Sequence, residues 1–488
     1  MTQKEMQSIL EIGTAISSEK DYNRLLEMIL NRIMELTHAD AGTLYLADGD
    51  LLRFKIMCNN TMHTCEGGDG KEPNLPPVRM SRENVCAMCY LENRTVCIEN
   101  VRTSTEYDFS GPVRYDAMTG YHTQSMLVVP MHNRQGERLG VIQLINAMDA
   151  AGNICAFPAD IIPAVESVAS QAAITIQNVL YIENIKELFE SFVRVMSSAV
   201  DERTPYNASH TRHMVEYGRH FIDYLNETAK AEGREPWFDA EHRHELLMSV
   251  WLHDIGKLVI PLEVMNKEAR LLPEQKSEIL HRFEKMRLLA QIACLKGAIS
   301  GEALKKRLEE LKQDGDTILR ANTAGFCPDD LREEICRIRE KTYTEEDGSE
   351  KPWLEEEEFQ MLMIRKGTLS EKERAVMESH VVITDKLLSE IRFSKELSHV
   401  REWAASHHEL LNGSGYPEHL MAEQIPMEVR IITILDIFDA LVADDRPYKP
   451  GMPVEKALGI LDIMADKEGK LDPELTRLFR KSRCWEKD

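Results

Sequence analysis

The hydrophobic and polar residues of this chain follow different patterns in successive segments. Residues 3–37 place apolar side chains every three or four positions, which predicts an amphipathic helix. Short alternating runs follow. Two of them, residues 125–133 and 138–147, flank a glycine-containing turn and predict a β-hairpin. From about Ile161 the spacing is helical again, and residues 164–195 contain neither glycine nor proline. The pattern therefore predicts a mixed α/β domain that ends in one long helix.

Helical periodicity continues towards the C-terminus, and strand signals are nearly absent from Ser191 onward. Residues 268–366 differ from their neighbours because they are rich in Glu, Lys and Arg and carry little that suggests a catalytic site. We interpret this segment as a helical insertion, a hairpin of helices, and its acidic run Glu355–Glu358 as a solvated helix face. The C-terminal half is thus predicted to be all-α with a long helical insertion.

The composition limits the classes of molecule that we expect the protein to bind. The chain has 488 residues, and its 59 basic and 82 acidic residues give a net charge of −23. A protein that binds the nucleic-acid backbone needs a basic face, so we expect no polymeric nucleic-acid partner. No segment approaches the roughly 20 apolar residues of a membrane-spanning helix, and the N-terminus shows no signal-peptide pattern. We therefore expect a cytoplasmic protein without a membrane partner, whose ten cysteines are reduced thiols.

Three motifs in the C-terminal half pair imidazole or carboxylate groups at short spacing: His253-Asp254, His407-His408, and Asp436 with Asp439. Buried carboxylates in an apolar helix are costly unless they are paired or bound to a cation. A mixed set of imidazole and carboxylate ligands suits iron, manganese, zinc or nickel. The number of candidate ligands exceeds what one tetrahedral zinc uses, which favours at least two metals. Because two metals can activate water and clamp both oxygens of a phosphoester, the residues predict phosphoester hydrolysis.

The segments HDIGK, HHELLNGSGYP and DIFDALVADDRPYK together resemble the HD-GYP family, bacterial phosphodiesterases that hydrolyse cyclic di-GMP. The resemblance covers about 195–265 and 367–475, and it implies an HD-type helical domain over 185–488. It also implies two or three divalent metal ions, iron first and manganese next. The implied metal ligands are Glu202, His253, Asp254, His380, His407, His408 and Asp436. Glu202 matches a residue of the three-metal members. His210 matches a further family histidine, and its direct ligation stays open.

The resemblance also implies roles in catalysis and substrate binding. The implied catalytic residues are His253, Asp254 and Lys257, and the implied substrate-binding residues are Lys257, Tyr416, Asp439, Arg446 and Lys449. The expected reaction opens cyclic di-GMP to linear pGpG, and a three-metal site would continue to GMP. Two alternatives stay open. One is hydrolysis of another cyclic dinucleotide, the mixed guanine–adenine one, and the other is a non-catalytic signalling or interaction protein.

The N-terminal region resembles a GAF domain over residues 8–184. The resemblance lies in YDFSG at 107–111 and in TGYHTQSMLVVPMHNRQGERLGVIQLINA at 119–147. It implies an α+β fold, with an antiparallel sheet flanked by helices, and a small-molecule ligand of unknown identity that regulates the C-terminal domain. A GAF domain that only dimerises is the alternative. In either case we expect a homodimer in which the long helices pack along each other.

Five cysteines lie within the first hundred residues: Cys58, Cys65, Cys86, Cys89 and Cys97. A metal or redox site is one interpretation of the Cys86-x-x-Cys89 spacing. The other is burial, because a free cysteine behaves as a small apolar core residue.

Overall fold

The computed structural model describes residues 21–68, 73–133, 135–203, 209–443 and 451–486, together with Ala15 and Glu19. The chain divides into two compact units, Met1–Phe189 and Glu190–Asp488. Within the part of the chain that is described, none of the helices combines the length and apolarity needed to span a membrane.

The first unit is built on an antiparallel sheet with the strand order β3-β2-β1-β7-β6-β5, in which β4 also pairs with β2 and β8 with β7. Its strands are β1 (Ala39–Asp48), β2 (Leu51–Asn59), β3 (Thr64–Gly67), β4 (Val78–Arg79), β5 (Val96–Ile98), β6 (Met126–His132), β7 (Arg138–Met148) and β8 (Ile154–Cys155). Its helices before the long one are α1 (Tyr22–Thr37), α2 (Val85–Glu92) and α3 (Ser110–Thr119).

The predicted hairpin is present as β6 and β7, which pair in the register Val129↔Ile142. Alternate residues of β6 point to opposite faces of the sheet, and both faces are covered. Leu127 and Val129 pack in a core with α1, whereas Met126 and Val128 pack in a second core with α2. The predicted antiparallel sheet flanked by helices is confirmed.

The predicted long helix is α4 (Ile162–Asp201), which has 40 residues. Its first turns contribute Val165, Val168 and Ile176 to the core of the first unit. Towards its C-terminal end, Val193 is buried. The division between the two units and the predicted boundary at 184/185 both lie within this helix.

Two of the ten cysteines are not the free thiols that the sequence predicted. Cys58 and Cys65 are direct partners on β2 and β3 and form a disulfide, so the expectation of ten thiols is wrong for this pair. Facing residues of adjacent strands are close enough for this bond. Cys86 and Cys89 lie on α2 in the apolar core, and burial raises the pKa of the Cys86 thiol to about 12. The described clusters of potential metal ligands include no cysteine, so the structure favours burial for this pair.

The second unit is mostly helical. Its helices are α5 (His210–Ala231), α6 (Ala240–Leu252), α7 (Leu262–Met265), α8 (Pro273–Leu295), α9 (Gly301–Thr323), α10 (Asp329–Arg339), α11 (Glu356–Leu362), α12 (Glu371–Glu378), α13 (His380–Leu388), α14 (Val400–Ala405), α15 (Met427–Val442), α16 (Val454–Asp466) and α17 (Pro473–Ser482). A 3₁₀ turn, Ile255–Val259, follows α6. Side chains from α5, α6, α15, α16 and α17 form the main core of this unit.

Helices α8 to α11 form the segment predicted as an insertion, and they have a core of their own that includes Phe283, Ile318 and Trp353. Two short strands, β9 (Thr342–Thr344) and β10 (Glu350–Pro352), pair within it, which the helical pattern did not predict. The prediction that Glu358 lies on a solvated helix face is wrong. This carboxylate is buried and accepts hydrogen bonds from the Arg282 guanidinium at 2.7 and 3.1 Å.

Candidate metal centre

The ends of several helices bring the chemically active side chains together. His210 begins α5, His253 directly follows α6, His380 begins α13, and His407 lies shortly after α14. Asp436 projects from α15. Helices that converge at their ends can place side chains that are far apart in sequence around one point.

Asp254 is at the centre of the first group of contacts. Its Oδ2 lies 3.2 Å from Nε2 of His253, and its Oδ1 lies 3.4 Å from Nε2 of His380 and 3.9 Å from Nε2 of His407. Asp436 forms the second group, with Oδ1 3.3 Å from Nε2 of His210. These separations leave both carboxylates facing several imidazole nitrogens at once.

Three histidines are oriented in the same way. The Nδ1 atoms of His253, His380 and His407 each lie 2.7 Å from the backbone carbonyl oxygen three residues earlier. A carbonyl only accepts, so Nδ1 carries the proton and Nε2 keeps its lone pair. Metal-binding histidines are fixed in this way.

The inward-facing atoms have no hydrogen-bond partner among the described residues: Nε2 of His253, His380 and His407, and Oδ1 of Asp254. Their residues are at most 4% exposed. Buried polar atoms without partners are costly, and a bound cation removes that cost. Potential ligand atoms of His380, His407 and His408 lie within 4.8 Å of one another, as do those of His210, His253 and Asp254. The donor set therefore fits divalent metal ions.

The electrostatics favour the neutral form of His380 and His407 and the charged form of Asp254. Burial lowers the pKa of His380 to about 4 and that of His407 well below its usual range. Burial alone would raise the pKa of Asp254, but Lys257 and His253 outweigh it and hold that pKa well below its usual range. Neutral imidazole and ionised carboxylate are the forms that bind metal.

Asp439, predicted to bind substrate, lies behind His210. Its Oδ2 is 2.6 Å from Nδ1 of His210, its Oδ1 is 3.4 Å from Nδ1 of His213, and its side chain is 1% exposed. Burial lowers the pKa of His210, but hydrogen bonds to Asp436 and Asp439 outweigh burial and raise it to about 10. Asp439 is thus placed to orient His210, whose Nε2 faces Asp436 and Asp254, and its contact with substrate stays a prediction.

Lys257 lies in the 3₁₀ turn after His253, and its Nζ is 2.5 Å from Oδ2 of Asp254. Two side chains hold this turn. Thr384 Oγ1 accepts from the Gly256 N–H at 3.0 Å and donates to the carbonyl of His253 at 3.1 Å. The Arg203 guanidinium donates to the carbonyls of Lys257 at 2.6 Å and Ile260 at 3.1 Å.

The glycine-rich loop brings Tyr416 to the site, with its ring centroid 4.8 Å from that of His408. A Cβ on Gly415 would lie 2.6 Å from the carbonyl oxygen of His408, so this loop can approach the histidine pair only with glycine there. The buried Glu409 carboxylate accepts hydrogen bonds from the backbone N–H groups of Glu418 and Leu420 and fixes the loop.

Among the described residues, one predicted ligand is not brought into the cluster. Glu202 is exposed, whereas the adjacent Asp201 is buried and accepts hydrogen bonds from the Thr211 backbone N–H and hydroxyl. Arg446 and Lys449 lie outside the described residues. Four further residues shape the site, and none of them was predicted from the sequence: Asp201, Arg203, Thr384 and Glu409.

Comparison with protein families finds two domains. The family described as GAF domain matches residues 21–176, and the family described as HD domain matches residues 357–475. The second match includes His380, His407, His408 and Asp436, whereas His253 and Asp254 lie outside it.

Curated relatives match a smaller share of the chain. A 3'3'-cGAMP-specific phosphodiesterase 3 of Vibrio cholerae is 36% identical over 121 residues, 25% of each chain. The cyclic di-GMP phosphodiesterase response regulator RpfG of Xanthomonas campestris is 40% identical over 102 residues, 20% of this chain and 26% of that protein. A cyclic di-GMP phosphodiesterase of Thermotoga maritima is 36% identical over 121 residues, 25% of this chain and 32% of that protein.

The chain thus spans about a quarter to a third of the length of these relatives. The predicted order of domains is confirmed, because a GAF domain match precedes an HD domain match along the chain.

Proposed function

We propose that the protein is a metal-dependent phosphodiesterase that hydrolyses cyclic di-GMP to pGpG, and on to GMP where a third metal is bound. The observation that carries this proposal is the convergence of unpartnered imidazole nitrogens of His253, His380 and His407 on Asp254. We propose two or three metal ions, iron first and manganese next. The relatives named as cyclic di-GMP phosphodiesterases support the substrate class.

When bound, the metals would lower the pKa of a water molecule and neutralise charge on the phosphoryl group. The residues to hold them are His253, Asp254, His380, His407, His408 and Asp436, with His210 added on the Asp436 side. For a third metal, the buried Asp201 is a better candidate than the exposed Glu202.

In this proposal Lys257 contacts the scissile phosphate. Its ammonium group is held against Asp254, so it would meet charge that develops on the phosphoryl oxygens without reorganising. Tyr416 offers a ring beside His408 against which the nucleotide can pack. Arg446 and Lys449 remain predicted contacts to the phosphates and guanine.

The mixed guanine–adenine dinucleotide is the second candidate substrate, because relatives named as 3'3'-cGAMP-specific phosphodiesterases match as well. The same metal chemistry would serve both substrates. A non-catalytic role is less well supported, because a protein that only docks partners does not need buried, oriented histidines whose Nε2 atoms have no partner among the described residues.

The test is turnover of both dinucleotides by full-length protein purified without oxygen, with its metal content measured. Joint replacement of His253 and Asp254 by alanine should abolish turnover and reduce bound metal. His281→Ala removes an exposed histidine from the insertion and should change neither. Full turnover by the double variant would refute the assignment.

We also propose that the GAF domain binds a small molecule that regulates turnover, and that the chain acts as a homodimer. The GAF match supports the first part. The ligand of the GAF domain is unknown. We propose α4 as the connection to the catalytic residues, because it begins in the GAF core and ends at Asp201.

A further inference from the structure

A cleft of about 560 Å³ lies between α8 and α9, the two longest helices of the insertion. Its apolar lining includes Ile279, Phe283 and Leu311 of the insertion core, together with Leu280 and Leu308. None of the described residues of the metal centre lines it. The volume falls within the range of roughly 300–1,000 Å³ that small-molecule sites occupy. The cleft is therefore a second candidate binding site, separate from the metal centre.

Gly315 keeps one wall of this cleft open. It lies within α9 and lines the cleft, although glycine destabilises a helix interior relative to alanine. A Cβ at this position would lie 3.6 Å from the Phe283 ring, which is an ordinary contact. The packing of α9 against α8 thus does not require glycine. The missing side chain leaves space beside an aromatic ring, where an alkyl chain can pack.

The charges around the cleft favour an anionic ligand. The charged lining residues are Lys276, Glu284, Arg287, Lys305, Glu309, Lys312 and Asp316. These four cations and three carboxylates give the lining a charge of +1, in a chain whose net charge is −23. Arg287 and Glu284 pair with each other at 3.2 Å. Among the described residues, the three lysines form no ion pair, so their ammonium groups are available to a ligand.

We propose that this cleft binds a small amphiphile that has one alkyl chain and an anionic head group, of which a long-chain carboxylate is the simplest member. The chain lies beside Phe283 and Gly315, where removal of apolar surface from water favours binding. The head group binds the lysines through charge-assisted hydrogen bonds. This inference goes beyond the proposed phosphodiesterase activity and does not depend on it.

The size of the cleft favours an alkyl chain over a helix of another protein. From Lys276 to Arg287, α8 extends about 16 Å, at roughly 1.5 Å per residue. A helix about 10 Å across would occupy about 1,300 Å³ over that length, more than twice the volume of the cleft. An extended alkyl chain is much thinner and fits.

The test is calorimetric titration of full-length protein with decanoate, and with decanol as the uncharged probe of the same chain length. Wild-type protein should bind decanoate roughly tenfold or more tightly than decanol, because only decanoate forms charge-assisted hydrogen bonds. Gly315→Leu fills the cleft and should weaken decanoate binding at least tenfold. Gly315→Ala should cause a smaller loss. Replacement of Lys276, Lys305 and Lys312 by glutamine should remove the preference for decanoate and leave decanol binding unchanged.

The matched control is Gly459→Leu, which makes the same change in α16, where no described atom lies within 4 Å of a Cβ. This variant should bind decanoate as the wild-type chain does, and circular dichroism reports the fold of every variant. The absence of saturable decanoate binding at millimolar concentration, or wild-type affinity in both Gly315 variants, would overturn the proposal. Equal affinity of the wild-type chain for decanoate and decanol would overturn it as well, because the anionic head group would then contribute nothing.

Discussion

Gly256 lies where the turn that carries Lys257 passes against the start of α13, and its replacement tests how the metal centre is held together. A Cβ built on Gly256 would lie 2.0 Å from the carbonyl oxygen of His380 and 2.7 Å from the backbone nitrogen of Thr384. Both obstacles are backbone atoms that a side-chain rotation cannot move aside. Gly256→Ala must therefore separate the turn from α13 by about 1 Å or more to reach an ordinary contact.

That displacement acts directly on the 3.4 Å approach of His380 Nε2 to Asp254 Oδ1. We expect Gly256→Ala to lower the free energy of unfolding by about 1–3 kcal/mol, as other overpacked sites do. A shift of about 1 Å at a catalytic group costs roughly a hundredfold in rate, so turnover should fall by that order. Denaturant unfolding of the metal-free chain and turnover measure these two effects, and metal titration reports whether the displaced ligands still bind metal.

Gly459→Ala is the control, because no described atom lies within 4 Å of a Cβ at this position in α16. Alanine is a better helix former than glycine, so this variant should be more stable by about 0.5–1 kcal/mol. Wild-type stability, metal affinity and turnover of Gly256→Ala would together refute the packing argument.

Three further predictions concern residues that hold or connect the site. Asp439→Asn should weaken metal binding by about 10–100-fold, measured by calorimetric titration, because His210 loses its charged partner; unchanged affinity would count against its orienting role. Arg203→Met should lower kcat by roughly 10-fold, because two charge-assisted hydrogen bonds to the turn of Lys257 are lost. Arg203→Lys should recover part of that loss. Equal kcat in the wild-type chain and both variants would show that these hydrogen bonds do not contribute to turnover. One alanine inserted after Glu187 rotates the rest of α4 by about 100° about the helix axis and should alter turnover. Seven inserted residues return the helix to within about 20° of its original orientation and should leave turnover unchanged. Equal turnover of the two variants would contradict coupling through α4.

The parts of the fold that were predictable are those with a strong local pattern. The hairpin of β6 and β7 combines apolar runs with a glycine turn, and α4 has a long stretch without glycine or proline. The strands β9 and β10 have three residues each, too few for periodicity to show. The disulfide between Cys58 and Cys65 depends on the register of β2 and β3, which sequence spacing does not give.

The residues of the site also fall into those that the sequence predicts and those that it does not. His253, Asp254, His407 and His408 stand in adjacent pairs, so their motifs were visible in the sequence. The positions of Asp201 and Glu202 relative to the cluster depend on which way α4 faces at its last turn. One residue differs by about 100° from the next on a helix, and no local pattern distinguishes these two carboxylates.

The contacts that support the site could not be predicted from the sequence, for a further reason. Arg203 and Thr384 act on backbone carbonyls far away in sequence, and any residue offers a carbonyl. Asp439 was visible as a buried carboxylate, but its role depends on the 2.6 Å contact with His210, which lies 229 residues earlier. Chemistry that depends on paired side chains left a signal in the sequence, and chemistry that depends on the backbone did not.

In the proposed function, this cluster binds metal ions that are needed to hydrolyse a cyclic dinucleotide. The most direct measurement is titration of metal-free, full-length protein with iron(II) in the absence of oxygen, while hydrolysis of cyclic di-GMP is followed. We expect no turnover at the start and a rise that saturates at two or three ions per chain. Full hydrolysis by the metal-free protein, or none at any occupancy with either iron or manganese and either dinucleotide, would contradict it.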